Sequence, residues 1–127
     1  MEPKHLKIDQ LEFEILISHR ELDKRIAELA AEISHDYQGK VPIFVGVLNG
    51  AIIFLSDLIR KLGVECEIDF IKISSYGNKR VSSGAITMIK DFSADLHGRD
   101  IIVVEDIVDS GLSIAYLKKR IDRRAHV

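Results

Sequence analysis

Two runs in this chain are apolar at consecutive positions rather than at alternate ones. They are Ile43-Phe44-Val45-Gly46-Val47-Leu48 and Ile101-Ile102-Val103-Val104. A strand with one wet face alternates in polarity. A strand apolar throughout has both faces covered, as in the middle of a parallel sheet flanked by helices. Each run passes through turn residues into a helical pattern. After the first, Asn49-Gly50 makes a tight turn and a helix is predicted on through Leu62 to Gly63, with Ile52, Leu55, Ile59 and Leu62 apolar. After the second, a helix is predicted from near Leu112 or Ser113. It carries Leu117 and Ile121 inward and Lys118, Lys119 and Arg120 mostly outward.

A third helix precedes both. Ser18-His19-Arg20-Glu21 has the spacing of a capping box, in which the hydroxyl and the carboxylate each satisfy an orphan N–H. Leu22, Ile26, Leu29, Ala30, Ile33 and Tyr37 then form one stripe, and Gly39 is a natural stop. The first 17 residues are mixed, with a short alternation at Phe13, Ile15 and Ile17. Strands are also predicted from about Cys66 to Ser74 and over Ile86 to Lys90, with a polar stretch from Tyr76 to Gly84 between them and a turn at Leu96 to Arg99. The order helix, strand, helix, strand, loop, strand, strand, helix predicts an α/β domain: a mostly parallel twisted sheet with flanking helices. Ligands bind such sheets beyond the carboxyl ends of the strands. That rule singles out two loops, Asn49-Gly50 and Asp106 to Ser113.

Composition narrows the partners. At 127 residues the chain has the size of one domain. A net charge of −2 argues against a strongly basic nucleic-acid binder. No apolar stretch approaches the ~20 residues of a membrane span, and the N-terminus has no signal-like apolar region. The single cysteine, Cys66, reads as a small core residue, and its solitude fits a reducing cytoplasm. The histidines show no metal-ligand spacing.

Chemistry concentrates in Glu105-Asp106-Ile107-Val108-Asp109-Ser110-Gly111-Leu112-Ser113. Ser110, Gly111 and Ser113 offer hydroxyls and N–H groups at a helix start, where the dipole favours a phosphate. Glu105 and Asp106 are acceptors for sugar hydroxyls or ligands for a hydrated Mg²⁺. Asp109 is placed to accept a proton from a ring nitrogen. The plainer reading is an acidic, solvated cap on the helix. A phosphoaspartyl domain is a third, although its Asp-x-Asp spacing is absent.

The segment resembles the phosphoribosyl pyrophosphate (PRPP) motif of the purine phosphoribosyltransferases, and within them the hypoxanthine-guanine branch, which carries a carboxylate at the position of Asp109. Val47-Leu48-Asn49-Gly50-Ala51 resembles the family's pyrophosphate loop, and Ser74-Ser75-Tyr76-Gly77 the start of its mobile loop. The resemblance implies a type I phosphoribosyltransferase-like fold and purine salvage: phosphoribose moves from PRPP to hypoxanthine or guanine, giving IMP or GMP and pyrophosphate. It assigns Glu105 and Asp106 to the ribose hydroxyls and Mg²⁺, and Asp109 to general-base catalysis at the purine N7. Asp109, Ser110, Gly111, Leu112 and Ser113 become the 5′-phosphate cradle. Leu48, Asn49 and Gly50 become the pyrophosphate loop, where the family often has a cis peptide, and Ser75 and Tyr76 the closing loop. It also implies a homo-oligomer, dimer or tetramer, in the cytoplasm, without nucleic-acid or membrane partners. Members of this branch run on into a further core strand and a hood over the purine. The expectation is therefore one domain over residues 1–127, incomplete at its C-terminus, with the last core strand and hood missing. The alternative is a non-catalytic remnant that holds PRPP or a nucleotide phosphate.

Overall fold

The computed structural model describes residues 5–75 and 86–125. Its elements are β1 (His5–Ile8), β2 (Leu11–Glu14), α1 (His19–Asp36), β3 (Ile43–Val47), α2 (Ile52–Ile59), β4 (Glu67–Ser75), β5 (Ile86–Lys90), β6 (Ile101–Val104) and α3 (Leu112–Ala125). The main sheet has the order β5-β4-β3-β6. β3 lies parallel to both β4 and β6, and β5 adds antiparallel to β4. The two apolar runs are thus sheet neighbours, and every residue of β3 is buried. This is the α/β architecture expected from the sequence.

Both faces of the sheet are covered, as the unbroken apolar runs require. One face buries Ile43, Val45, Val47 and Ile71 against Phe92, Leu96 and Leu117 of α3. The other buries Phe44 and Val104 against Ala30 of α1 and Leu55 and Leu58 of α2. Gly46 lets α2 approach closely, since a Cβ there would lie 2.6 Å from Cδ2 of Leu55. Cys66 sits half-buried against this second layer, and burial raises its thiol pKa.

The capping box at Ser18 forms as expected: Glu21 N–H donates to Ser18 Oγ (3.1 Å) and Ser18 N–H donates to Glu21 Oε2 (2.8 Å). Caps of this kind contribute about 0.5–2 kcal/mol. α1 ends at Asp36, directly ahead of a turn over residues 37–39 in which Gly39 takes φ +74°. At the base of the sheet, Arg99 joins three segments, donating to Glu67 Oε1 (2.8 Å) and the Val41 carbonyl (2.7 Å).

Three expectations need correction, and one buried acid goes beyond them. α2 stops at Ile59 rather than reaching Gly63, because the next turn tightens into i to i+3 bonds, Lys61 to Leu58 (3.1 Å) and Leu62 to Ile59 (3.2 Å). The N-terminal segment contains a separate antiparallel hairpin, β1-β2, in which Phe13 pairs with Leu6 while Ile15 and Ile17 lie beyond the strand. Its eight strand residues are all exposed, so no buried face announced it. Arg120 is drawn inward to Asp91 rather than facing water. Finally, in β4 the acidic Asp69 is only 6% exposed.

Asp69 is buried because the turn after β5 closes on it. Its Oδ2 accepts the N–H groups of Ser93 (2.8 Å) and Ala94 (2.9 Å), and Oδ1 accepts that of Phe70 (2.8 Å). Burial pushes its pKa up, but these donors and Lys90 outweigh it and leave the carboxyl below its ordinary range. Asp91 is also low, held by Arg120. The sign for stability follows. Above the unfolded value of about 3.9 both stabilise fully. As pH falls below it, the unfolded chain takes up protons first, and stability drains away as pH approaches the depressed folded values. Denaturant unfolding is expected to give a level stability from pH 7 to about pH 5 and a marked loss as pH falls through about 3.9 and below, shallower in Asp69→Asn. An Asp69→Asn protein with the wild-type pH slope would contradict this assignment.

Candidate functional site

The carboxyl ends of β3 and β6 emerge side by side, since Gly46 pairs with Val104. The chain beyond β3 turns at once. Leu48 N–H still donates to Ile71 O (2.8 Å), the Leu48–Asn49 peptide is cis, and Asn49 O accepts Ile52 N–H (3.2 Å) as α2 begins. Asn49 and Gly50 are exposed at the sheet rim.

The chain beyond β6 bears the acids. Glu105 is half-buried, and Asp106 to Ser110 are exposed. The Asp106 N–H donates to Glu105 Oε1 (3.1 Å), and the Ile107 N–H donates to Asp106 Oδ1 (2.7 Å). Burial, then hydrogen bonding to Asp106, raises the Glu105 pKa. The same Glu105 contact, then the Ile107 N–H, lowers that of Asp106. Two adjacent carboxylates, one half-buried and one exposed, make a place where a cation is welcome.

The two loops meet. A Cβ on Gly50 would lie 2.7 Å from Cγ of Asp106, so the carboxylate rests against bare backbone. Neither residue announced the other in sequence, and the Asn49-Gly50 signal was weak alone. The glycine is what lets the acidic loop come so near.

Past Asp109, Gly111 adopts φ +82°, a left-handed conformation that suits glycine. That turn starts α3: Leu112 N–H donates to Ser110 Oγ (3.3 Å), and Ala115 N–H donates to Gly111 O (3.0 Å). The first-turn N–H groups of a helix lack internal partners and attract anions. Glu105, Asp106, Asp109, Ser110, Gly111, Leu112 and Ser113 therefore form one continuous strand-end-to-helix loop, with Leu48, Asn49 and Gly50 beside its acidic part. Ser75 closes β4, its backbone paired with Ile86. Tyr76 lies outside the described residues. Among the described residues no group of three or more His, Cys, Asp or Glu side chains gathers as a metal cage. The Glu105-Asp106 pair suits instead a hydrated Mg²⁺ that keeps waters and shares substrate phosphates.

The family model for the phosphoribosyl transferase domain matches residues 14–125. The chain belongs to the phosphoribosyl transferase family. Hypoxanthine-guanine phosphoribosyltransferase of Bacillus subtilis is 48% identical over 103 residues, covering 81% of this chain and 57% of that protein. The chain thus spans little more than half the length of this relative. Among solved structures, a hypoxanthine-guanine phosphoribosyltransferase from Bacillus anthracis with HEPES in its active site aligns with a TM-score of 0.83 at 38% identity, covering 89% of this chain and 67% of that one. A Trypanosoma cruzi hypoxanthine phosphoribosyl transferase, studied for the role of its C-terminal region in oligomeric state and activity, aligns with a TM-score of 0.80 at 34% identity, covering 88% and 63%. The fold is that of a type I phosphoribosyltransferase, and the purine branch is the one its relatives occupy.

Proposed function

We propose that this phosphoribosyltransferase chain serves purine salvage, transferring phosphoribose from PRPP to hypoxanthine or guanine to give IMP or GMP and pyrophosphate. The reading rests on one observation above the others: the contact between Gly50 and Asp106 at the carboxyl ends of β3 and β6. It joins a bare-backbone loop for pyrophosphate to a carboxylate pair for ribose and metal, in a chain 48% identical to a hypoxanthine-guanine phosphoribosyltransferase.

The roles follow from chemistry and place. Leu48, Asn49 and Gly50 offer backbone to the pyrophosphate. Glu105 and Asp106 accept hydrogen bonds from the ribose hydroxyls and would hold Mg²⁺. The chemistry supplied by bound Mg²⁺ is neutralisation of the charge gathering on the departing pyrophosphate. Asp109 to Ser113 hold the 5′-phosphate at the start of α3. As the bond from C1′ to pyrophosphate breaks and that to the purine nitrogen forms, Asp109 takes up the ring proton at N7. To Ser75, the last residue of β4, and to Tyr76 the resemblance gives the role of closing the site against water, which would otherwise capture the electron-poor sugar carbon.

A single catalytic domain fits this reading, as does a cytoplasmic setting. Among the described residues no helix is long and apolar enough to cross a membrane. A homo-oligomer also fits this reading; exposed apolar side chains flank a hollow of about 450 Å³ between α1 and α2, lined by Leu22, Ile26, Leu29 and Phe54 and reaching Gly50. Ile53 beside it is 71% exposed.

The test is nucleotide formation. Purified chain with PRPP, hypoxanthine and Mg²⁺ is expected to yield IMP, and guanine to yield GMP. Chelation of Mg²⁺ is expected to stop both. PRPP binding by calorimetry without nucleotide from any purine, Asp109 intact, would overturn the catalytic reading.

A further inference from the structure

α3 starts with the phosphate loop, yet it is held loosely by apolar packing. Leu117 is its one fully buried side chain, while Tyr116 and Ile121 are half-buried against the same layer. Among the described residues, strand β6 beneath it has one neighbour in the sheet, β3. Another device fixes the helix.

That device is Asp91, just past β5. Its carboxylate spans the Arg120 guanidinium as a fork: Nε donates to Oδ1 (3.3 Å) and Nη2 to Oδ2 (2.5 Å). Arg124, one turn on, also donates to Oδ2 (2.6 Å). The Phe92 N–H fills the remaining position on Oδ1 (2.8 Å), and the Arg124 guanidinium lies 5.9 Å from the centre of the Phe92 ring. Planar two-point pairing fixes direction as well as distance. Asp91 is itself immobilised. Lys90 Nζ donates to the Phe70 carbonyl (2.6 Å) and the Asp91 carbonyl (3.0 Å). Asp69 of β4 grips the next two N–H groups, those of Ser93 and Ala94. A continuous polar chain thus runs from β4 through the 91–94 turn to the outer half of α3.

We propose that Asp91 is a positioning residue for the 5′-phosphate loop, setting the rotation and axial placement of α3 through Arg120 and Arg124. The inference rests on the reading of residues 109–113 as the phosphate cradle. A rigid helix transmits a shift at Arg120 to its first turn, where N–H groups must converge on one anion. Small misplacements in such constellations are costly, about 100-fold for 1 Å in demanding cases.

The test uses ¹⁵N-labelled full chain and two probes. Ribose 5-phosphate is followed at the amides of Ser110, Gly111 and Ser113. Inorganic pyrophosphate is followed at Asn49 and Gly50. Asp91→Asn is expected to weaken ribose 5-phosphate by about tenfold, equivalent to about 1.4 kcal/mol, with pyrophosphate affinity unchanged. Arg120→Lys keeps the charge but not the fork. It is expected to show the same selective loss, and it decides the matter if Asp91→Asn does not fold. Wild-type ribose 5-phosphate affinity in the folded variant, or equal losses for both probes, would overturn the proposal. Wild-type amides at 110–113 that ignore ribose 5-phosphate would instead overturn the cradle reading, and this proposal with it.

Discussion

Asp109→Asn is expected to lower kcat for nucleotide formation by about 10²- to 10⁴-fold, the range that a positioned general base contributes. The KM for PRPP should hardly move. Asparagine has nearly the same shape, so the loop between Val108 and Ser110 keeps its path. The turn into α3 is set by Gly111 at φ +82°, not by the Asp109 side chain. What asparagine cannot do is take up a proton. The kcat/KM split is therefore diagnostic, since loss confined to kcat marks an interaction made in the transition state. Turnover retained at the wild-type level would remove Asp109 from the chemistry.

The second large effect concerns Gly50. Alanine there adds one carbon, and that carbon falls 2.7 Å from Cγ of Asp106. The atoms in the way are the end of the exposed Asp106 side chain, so the carboxylate swings aside and gives up its Oδ1 bond to the Ile107 N–H. The expected result is displacement of that carboxylate from the ribose and metal position and a fall in kcat/KM for PRPP of about 100-fold, the scale of a 1 Å displacement. Thermal unfolding should change little, because both residues are exposed. Shortening the acid in the double variant Gly50→Ala, Asp106→Ala should not recover activity, since it removes a ligand for ribose and metal. A Gly50→Ala enzyme of normal kcat/KM would show that the contact has no functional consequence.

Much of this fold was legible because its signals are local. Ser18 and Glu21 lie three residues apart, and their capping box needs no tertiary partner. Ile43 to Leu48 and Ile101 to Val104 declare two-sided burial in their own composition. The acidic loop was legible for the same reason: its carboxylates, Ser110 and Gly111 are contiguous. Other features depend on distant residues. Nothing in the sequence singled out Asp69, and only the turn at Ser93 and Ala94 reveals why a carboxylate is welcome inside. Arg120 looked like part of a solvated basic run until Asp91 was brought beneath it. The β1-β2 hairpin escaped because its strands are only four residues each, and the apolar alternation at Phe13 runs on through Ile15 and Ile17, beyond the strand, so it marks no boundary. The Gly50–Asp106 contact belongs to the same class.

The pairing of β6 directly with β3 also has a kinetic meaning. The segments forming the two halves of the site are widely separated along the chain, with α2, β4 and β5 between them. Closing such a contact requires a long loop to be ordered before it is rewarded, the feature that slows folding in non-local topologies. Until β6 docks, the Glu105-Asp106 pair and the Asn49-Gly50 turn belong to unrelated pieces of chain, and no substrate can bridge them. Ligand affinity is therefore expected to return only once β6 has docked on β3. Regained PRPP binding during refolding reports completion of the sheet, whereas regained helical signal, with α1 capped locally, can precede it.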